Sequence, residues 1–462
     1  MQKHSVKPVE LNQEYTLVVN SHSHEGEGIG RINNFAIFVP GAIPGEEVKV
    51  KITEVKKSFA RGVLKEIIVA SKNRNQENCT LIDTCGGCSL QHMNYDAQLE
   101  MKKEIVESTL KKIGGIEIEV APTIGMDEPV AYRNKGQFHV HKKDGQVTLG
   151  FYNKNSHDVM GTNNCSLFSE KINEIVVFLE EILTDEQIKV YNQKDKTGYL
   201  RNIVFRQSKE TNEIMLIFVT NNKANKLNKI ISLIEEKFPE VTSFFQNINP
   251  EPGPIILGKE FKLLKGKGLI SDKLGSLDFA ISPESFFQVN TEQAEKLYTK
   301  ALEYAGLTGT ETVVDAYCGI GTISLFMAKH AKKVYGIESV TRATEDAKFN
   351  AIINEVTNAE FIAAKIEKWL PKWVEEGNSA DVIVVDPPRK GCDQETLQAM
   401  VEAKPGKIIY VSCNPSTLAR DLKFIVAGGY EVKKVQPVDM FPLTSHVESI
   451  ILMTSSTSEA KK

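Results

Sequence analysis

The stretch Val313-Val314-Asp315-Ala316-Tyr317-Cys318-Gly319-Ile320-Gly321-Thr322 decides how the C-terminal part of this chain folds. An apolar run enters a glycine turn and emerges as the start of a helical pattern, and such a turn lets a ligand approach the backbone closely. Downstream the alternation continues. Strands are expected at 312–315, 333–337, 381–385, 407–411 and 449–453, with helical stretches at 322–329, 341–355 and 417–426 among them. Regular β/α alternation predicts an α/β domain with a doubly wound parallel sheet, whose ligands sit beyond the carboxyl ends of its strands. Glu338 lies 19 residues past Gly319, at the end of the next strand, where a carboxylate can accept both hydroxyls of a ribose. That would suit a dinucleotide as well as a nucleoside. Asp315 and the missing third glycine favour S-adenosylmethionine, which carries no phosphate and needs no pyrophosphate cradle.

Later strand ends carry the chemistry. Asp386-Pro387-Pro388-Arg389 closes the 381–385 strand in a rigid polar corner over the same crevice. Amino-group methyltransferases follow a similar Asp-Pro-Pro with an aromatic residue that stacks on the base. Arg389 stands there instead, which disfavours methylation of an exocyclic nitrogen. Tyr410-Val411-Ser412-Cys413-Asn414-Pro415 puts a cysteine just past a buried strand and before a helix expected to start near Pro415. A helix N-terminus lowers a thiol's pKa, and thiolate is the nucleophilic form. Carbon 5 of uracil is too weak a nucleophile to take a sulfonium methyl unaided. Thiolate addition to carbon 6 makes an enolate, and carbon 5 can then attack. A base must afterwards remove the proton from carbon 5 so that the thiol can leave. Glu448, in Phe441-Pro442-Leu443-Thr444-Ser445-His446-Val447-Glu448, is the candidate base. Cys318 and Cys392 suit the plainer reading of small buried hydrophobes.

Upstream, residues 1–70 hold short β runs at 15–20, 35–39, 47–52 and 62–69, separated by glycine and proline turns. This pattern suggests a small closed barrel of the oligonucleotide-binding sort. From Lys49 to Lys72, seven Lys/Arg face two Glu, a strip suited to single-stranded nucleic acid or simply to a solvated face. Residues 71–281 read as a mixed α+β region, with helices expected at 96–113 and 170–183 and strands at 132–141 and 147–153. Arg133 to Lys154 holds five Lys/Arg and one Asp, and Tyr132 and Phe138 beside them are candidates to stack on unpaired bases. Cys79, Cys85 and Cys88 share one loop and Cys165 follows; four thiolates suffice for tetrahedral zinc or a cubane cluster, and spacing alone does not choose.

The 462 residues are 41% apolar and 25% charged, which excludes a disordered, fibrous or disulfide-scaffold chain. No apolar run approaches the ~20 residues that cross a bilayer, and no signal-peptide core opens the chain. A cytoplasmic protein, with no membrane association and no obligate protein partner, most simply a monomer, is expected. Net charge is −4, so a nucleic-acid partner must be met by local patches.

Together, Asp-Ala-Tyr-Cys-Gly-Ile-Gly, Asp-Pro-Pro-Arg, Ser-Cys-Asn-Pro and His-Val-Glu, in this order, resemble the RNA uracil-5 methyltransferases of the TrmA/RumA type. Ser282-Pro283-Glu284-Ser285-Phe286-Phe287-Gln288-Val289-Asn290 resembles that family's stretch before its catalytic domain, and residues 1–70 resemble a TRAM domain. The likeness implies a Rossmann-like methyltransferase domain over 282–462, behind a TRAM/OB-like barrel and the middle domain. It implies that Gln288, Tyr317, Glu338 and Asp386 contact S-adenosylmethionine, that Cys413 is the nucleophile and that Glu448 is the base. Thr322 departs from the asparagine often found there. The family's rRNA-modifying branch carries a 4Fe-4S cluster on the four-cysteine pattern, so the likeness implies that cluster on Cys79, Cys85, Cys88 and Cys165, in a mainly structural role, and 23S rRNA as the partner. The competing readings are a tRNA uracil-5 methyltransferase, a non-catalytic cluster protein that binds RNA, and a DNA cytosine-5 methyltransferase. The last usually carries its nucleophile in a Pro-Cys pair, whereas this chain has Cys-Asn-Pro.

Overall fold

The computed structural model describes residues 7–76, 79–154, 156, 158–162, 164–224 and 226–456. Five strands close a barrel: β1 (Glu14–His22), β2 (Gly28–Ile32), β3 (Phe35–Val39), β4 (Glu47–Val55) and β5 (Phe59–Val69), in the order β1-β2-β3-β5-β4. Only the β3–β5 pair is parallel. Strand β2 falls in what reads as a glycine turn. Its glycines are there for closeness: a Cβ on Gly28 would stand 2.6 Å from the Ala42 carbonyl oxygen, and one on Gly30 2.4 Å from Leu17 Cδ1. Val19, Ile37, Val39, Val48, Val50 and Ile52 fill the interior.

Helix α1 (Tyr95–Thr109) follows, capped by the Asn94 side chain, and runs through a π turn to Gly115 at φ 66°. The middle sheet is built from β6 (Lys135–Lys143), β7 (Gln146–Tyr152), β8 (Val159–Gly161), β9 (Leu200–Gln207), β10 (Ile214–Thr220), β11 (Val241–Ile248) and β12 (Glu260–Gly266). Its order is β12-β11-β10-β9-β6-β7-β8. Helices α2 (Glu170–Asp185) and α3 (Asn228–Lys237) cover it. The buried stripe of α2, Ile172, Ile175, Val176, Leu179, Ile182 and Leu183, has the helical spacing that predicts one apolar face.

A hairpin, β13 (Ile270–Leu274) and β14 (Leu277–Ile281), leads into the last domain. There α4 (Thr291–Ala305), β15 (Thr312–Ala316), α5 (Thr322–Ala328), β16 (Lys333–Glu338), α6 (Thr341–Ile353), β17 (Ala359–Ala363) and α7 (Ile366–Glu375) are followed by β18 (Val382–Val385), α8 (Gln394–Glu402), β19 (Lys407–Ser412), α9 (Pro415–Ala427), β20 (Tyr430–Val438) and β21 (Glu448–Ser455). The sheet order is β17-β16-β15-β18-β19-β21-β20. It is not wholly parallel as expected. Strand β21 runs antiparallel to both β19 and β20, because the 439–447 connection is too short for the crossover a parallel neighbour requires. Helices pack on both faces: α4, α5 and α6 with the hairpin on one, and α7, α8, α9 with α1 on the other. Helix α1 and the π turn after it thus join the last domain's core, where Met101, Ile105, Val106 and Leu110 share a cluster with Ile383, Tyr410 and Leu422.

Candidate active site

The carboxyl ends of β15, β16, β18 and β19 meet the start of β21 at one edge of the sheet. Past β15 the backbone turns sharply: Tyr317 sits at φ 67°, Gly319 at 55° and Gly321 at 85°. Positive φ is strained for a tyrosine, and such outliers cluster at functional sites. The Tyr317 hydroxyl pairs with Thr396 on α8 at 3.3 Å, bracing the turn from below. Glu338, ending β16, accepts the Gly319 N–H at 3.3 Å and the Val340 N–H at 2.8 Å, so the expected ribose carboxylate is tied to the glycine turn itself. Asp315 lies deeper. It is fully buried, accepts from Ser324 Oγ at 2.5 Å with one oxygen and leaves the other without a partner among the described residues.

Strand register brings the expected nucleophile and base together. Ser412 pairs with Ser449 across β19 and β21, so Cys413 and Glu448 lie side by side where the two strands end. Parallel pairing of Val385 with Tyr410 sets Asp386 next to them. The electrostatics agree. The Glu448 carboxyl is pushed well above its ordinary range by burial and then by Asp386, with Arg389 opposing. Asp386 is raised to about 6 by burial. The Cys413 thiol is pushed up to about 12 by burial first, then by Glu448 and Asp386, with Arg389 again opposing. That reverses the sequence expectation of a lowered thiol. The helix end is already used: Asn414 is the N-cap of α9, and its Oδ1 accepts the Ser416 N–H at 3.0 Å. Burial penalises the anionic forms of all three groups, Asp386 least, so a cation placed beside them would stabilise their anions.

Arg389, noted in the sequence only as a departure from an aromatic, fixes the corner. Its carbonyl accepts from Asn414 Nδ2 at 3.0 Å and Thr417 Oγ1 at 3.2 Å, and its guanidinium reaches His446 Nδ1 at 3.1 Å. Gln288 is buried, and its carbonyl accepts from Asn134 Nδ2 at 2.9 Å. Its side chain lies near Tyr298, a buried residue of α4 whose hydroxyl meets Thr322 Oγ1 at 3.5 Å and is raised in pKa by burial and by Asp386 and Glu448. Sequence reasoning missed Tyr298, because a tyrosine on the apolar stripe of a helix reads as core. It sits in the position that joins Gln288 to the carboxylate pair.

The four remaining cysteines form a separate place. Cys79, Cys85, Cys88 and Cys165 line one cavity of about 440 Å³ together with Arg133, Lys135, Gln137, His139 and Phe151. Among the described residues no group of three or more metal-ligating side chains is gathered tightly enough to hold an ion. The donor set nevertheless fits a soft metal or cluster in kind: the thiols share one cavity, and burial and then Cys165, Cys85 and Cys79 push Cys88 up to about 12. Val289, next to Gln288, also lines this cavity, and Cys88, Cys165 and Leu443 of the 439–447 loop pack against one small buried cluster of Met126, Tyr132 and Leu167.

The expected base-stacking residues are not available. Tyr132 is 4% exposed, its hydroxyl bonded to the Pro442 carbonyl, and Phe138 is 1% exposed among Phe151, Phe168 and Phe205. Alternation along β6 turns Phe138 inward and puts His139 on the other face, where it stacks on Tyr152, ring centres 3.9 Å apart. On the barrel, Lys49, Lys56 and Arg61 are paired with Glu14, Glu54 and Glu27, which neutralises part of the basic strip. No helix among the described residues is long and apolar enough to cross a membrane.

Comparison with known proteins assigns both ends of the chain. Residues 269–456 match the tRNA (Uracil-5-)-methyltransferase family and residues 8–65 the TRAM domain. The chain is 48% identical over 450 residues to an uncharacterized RNA methyltransferase of Oceanobacillus iheyensis, covering 97% of this chain and 98% of that one. An uncharacterized RNA methyltransferase of Clostridium tetani is likewise 48% identical over 450 residues, covering 97% of each. Among solved structures, the Pyrococcus abyssi tRNA (uracil-54, C5)-methyltransferase bound to S-adenosyl-L-homocysteine superposes with a TM-score of 0.75 at 32% identity, over 95% of this chain and 99% of that one. Whole-length identity at this level, on a fold whose strand ends gather a cysteine, a glutamate and an aspartate, leads to one conclusion: the chain belongs to the S-adenosylmethionine-dependent RNA uracil-5 methyltransferases.

Proposed function

We propose that the protein methylates carbon 5 of specific uridines in 23S rRNA through a covalent Cys413–uracil adduct. The observation that carries the chemistry is the meeting of Cys413, Glu448 and Asp386 at the ends of β19, β21 and β18. Gln288, Tyr317, Glu338 and Asp386 hold S-adenosylmethionine, which when bound supplies the methyl group and a sulfonium charge. Glu338 would accept the ribose hydroxyls and Asp386 would lie beside the sulfonium charge. Burial first, and Glu448 and Asp386 next, hold Cys413 protonated; a cation beside them would oppose these effects and favour loss of the thiol proton to solvent, leaving thiolate. Cys413 Sγ then bonds to carbon 6, and the electron pair of the 5,6 double bond moves to the enolate. Carbon 5 uses that pair to bond the methyl group as the methyl–sulfur bond breaks, its electrons staying on sulfur and leaving neutral S-adenosylhomocysteine. Glu448 takes the carbon 5 proton, the carbon–sulfur bond breaks, and the double bond and the thiolate return.

Cys79, Cys85, Cys88 and Cys165 are the residues that would hold a 4Fe-4S cluster, a structural tie between the 79–88 loop and the middle sheet. The barrel and the 133–154 face of that sheet hold RNA. One observation favours tRNA as a second reading. A relative named for tRNA superposes on 95% of this chain, so domain content alone does not select rRNA. Mass spectrometry of rRNA and tRNA from a strain lacking the protein separates the two. Loss of 5-methyluridine from a 23S rRNA fragment supports the proposal, and loss from tRNA alone supports the second reading.

A further inference from the structure

Residues 439–447 connect β20 to β21 and lead directly into Glu448, yet much of what holds them lies outside the sheet. Asp439 is fully buried and paired with Lys102 of α1, also fully buried. The Tyr95 hydroxyl donates to the other Asp439 oxygen at 2.8 Å, and Lys102 Nζ also donates to the Phe441 carbonyl at 3.1 Å. Near Lys102 on the same helix, Gln98 Oε1 accepts the Leu443 N–H at 3.1 Å, while its Nε2 donates to the carbonyls of Leu90 and Met93. The Leu443 carbonyl accepts N–H groups from Ser89 and Leu90, each at 3.0 Å.

Leu443 sits at φ 67°, a left-handed conformation that a branched side chain seldom adopts. Such strain persists only where the surroundings over-determine it. Here both backbone polar groups of Leu443 are held by the 89–98 segment. A buried ion pair is costly to desolvate and is a poor stabiliser in itself; its attested use is to fix register. The pair between residues 102 and 439 fixes the loop at its first residue, and Gln98 fixes it at the middle.

We infer that Lys102 is a positioning residue for the reaction: through Asp439 it sets the 439–447 loop so that Glu448 meets carbon 5 of the methylated uracil. The inference rests on the reading of Glu448 as the base. Its hydrogen bonds go to Asp439 and the Phe441 carbonyl, so its influence on the chemistry passes through the loop.

The test compares full-length wild type, Lys102→Met, Tyr95→Phe and Glu448→Gln on ordinary uridine RNA with S-adenosylmethionine. Turnover, single-turnover methyl transfer and the fraction of protein in a gel-stable RNA adduct are measured. Glu448→Gln should turn over roughly 10²-fold slower while adduct accumulates. Tyr95→Phe should show the same signature more mildly, with turnover roughly 3- to 10-fold slower and single-turnover methyl transfer unchanged. Lys102→Met should exceed it. A purely structural role would lower methyl transfer, cofactor affinity and folded fraction together with no adduct, and that result overturns the inference. So does wild-type turnover in both variants. Where Lys102→Met does not fold, Tyr95→Phe decides. If Glu448→Gln itself accumulates no adduct, the base assignment fails and takes the inference with it. Adduct in Glu448→Gln but not in the α1 variants sinks the inference alone.

Discussion

At the scale of single residues, burial penalises the charged forms of the acids at the strand ends. Asp315 shows the cost of that arrangement. Burial raises its carboxyl to about 7 from an ordinary 3.8, with Asp386 and Glu338 adding to the effect. A carboxyl that binds its proton more tightly when folded favours the native state at low pH. That contribution is lost as pH rises from the ordinary range through about 7. Asp315→Asn should therefore raise the thermal midpoint at about pH 8 and leave it nearly unchanged at about pH 4. Melting curves at the two pH values check this, and an equal shift at both would show that ionisation of Asp315 is irrelevant. Cys413 teaches a related lesson. Its place before a helix was legible, but the sign of its pKa shift was not, because that sign comes from burial in the fold and then from Glu448 and Asp386, 35 and 27 residues away in sequence.

At the scale of elements, local patterns were readable and pairings were not. The strand–turn–helix at 313–322, the start of α9 at Pro415 and the amphipathic α2 each follow from contiguous residues. Strand β2 escaped because its glycines signal a turn when no neighbour is known, and their purpose appears only when β1 and the Ala42 loop close against them. Gly30→Ala tests that account. A methyl group there meets Leu17 Cδ1 at 2.4 Å and the Val18 carbonyl at 2.7 Å, so overpacking should cost about 1–3 kcal/mol of barrel stability. RNA affinity should fall while cofactor affinity stays at the wild-type value. Denaturant melts with RNA and cofactor titrations measure all three, and a neutral Gly30→Ala would mean the barrel opens at that seam. The direction of β21 was likewise hidden, since an apolar run reads the same parallel or antiparallel.

At the scale of the whole molecule, the long-range ties were the least legible. Lys102 reads as one charge on a helix face, and nothing near it in sequence announces Asp439 as its partner, 337 residues on. The same holds for the four cysteines, whose shared cavity joins the 79–88 loop to the segment around Cys165. If they hold a cluster, anaerobically purified protein should be brown, with about four irons per chain; colourless protein with a single zinc would reverse that assignment. The central claim, covalent catalysis by Cys413, has a more direct measurement. RNA containing 5-fluorouridine is incubated with the full chain, with and without S-adenosylmethionine, and resolved on a denaturing gel. Fluorine cannot leave carbon 5 as a proton does, so elimination stalls after methyl transfer. An adduct should form with the wild type only when the cofactor is present, and Cys413→Ala should form none. An adduct persisting in Cys413→Ala would contradict the account and move the nucleophile elsewhere.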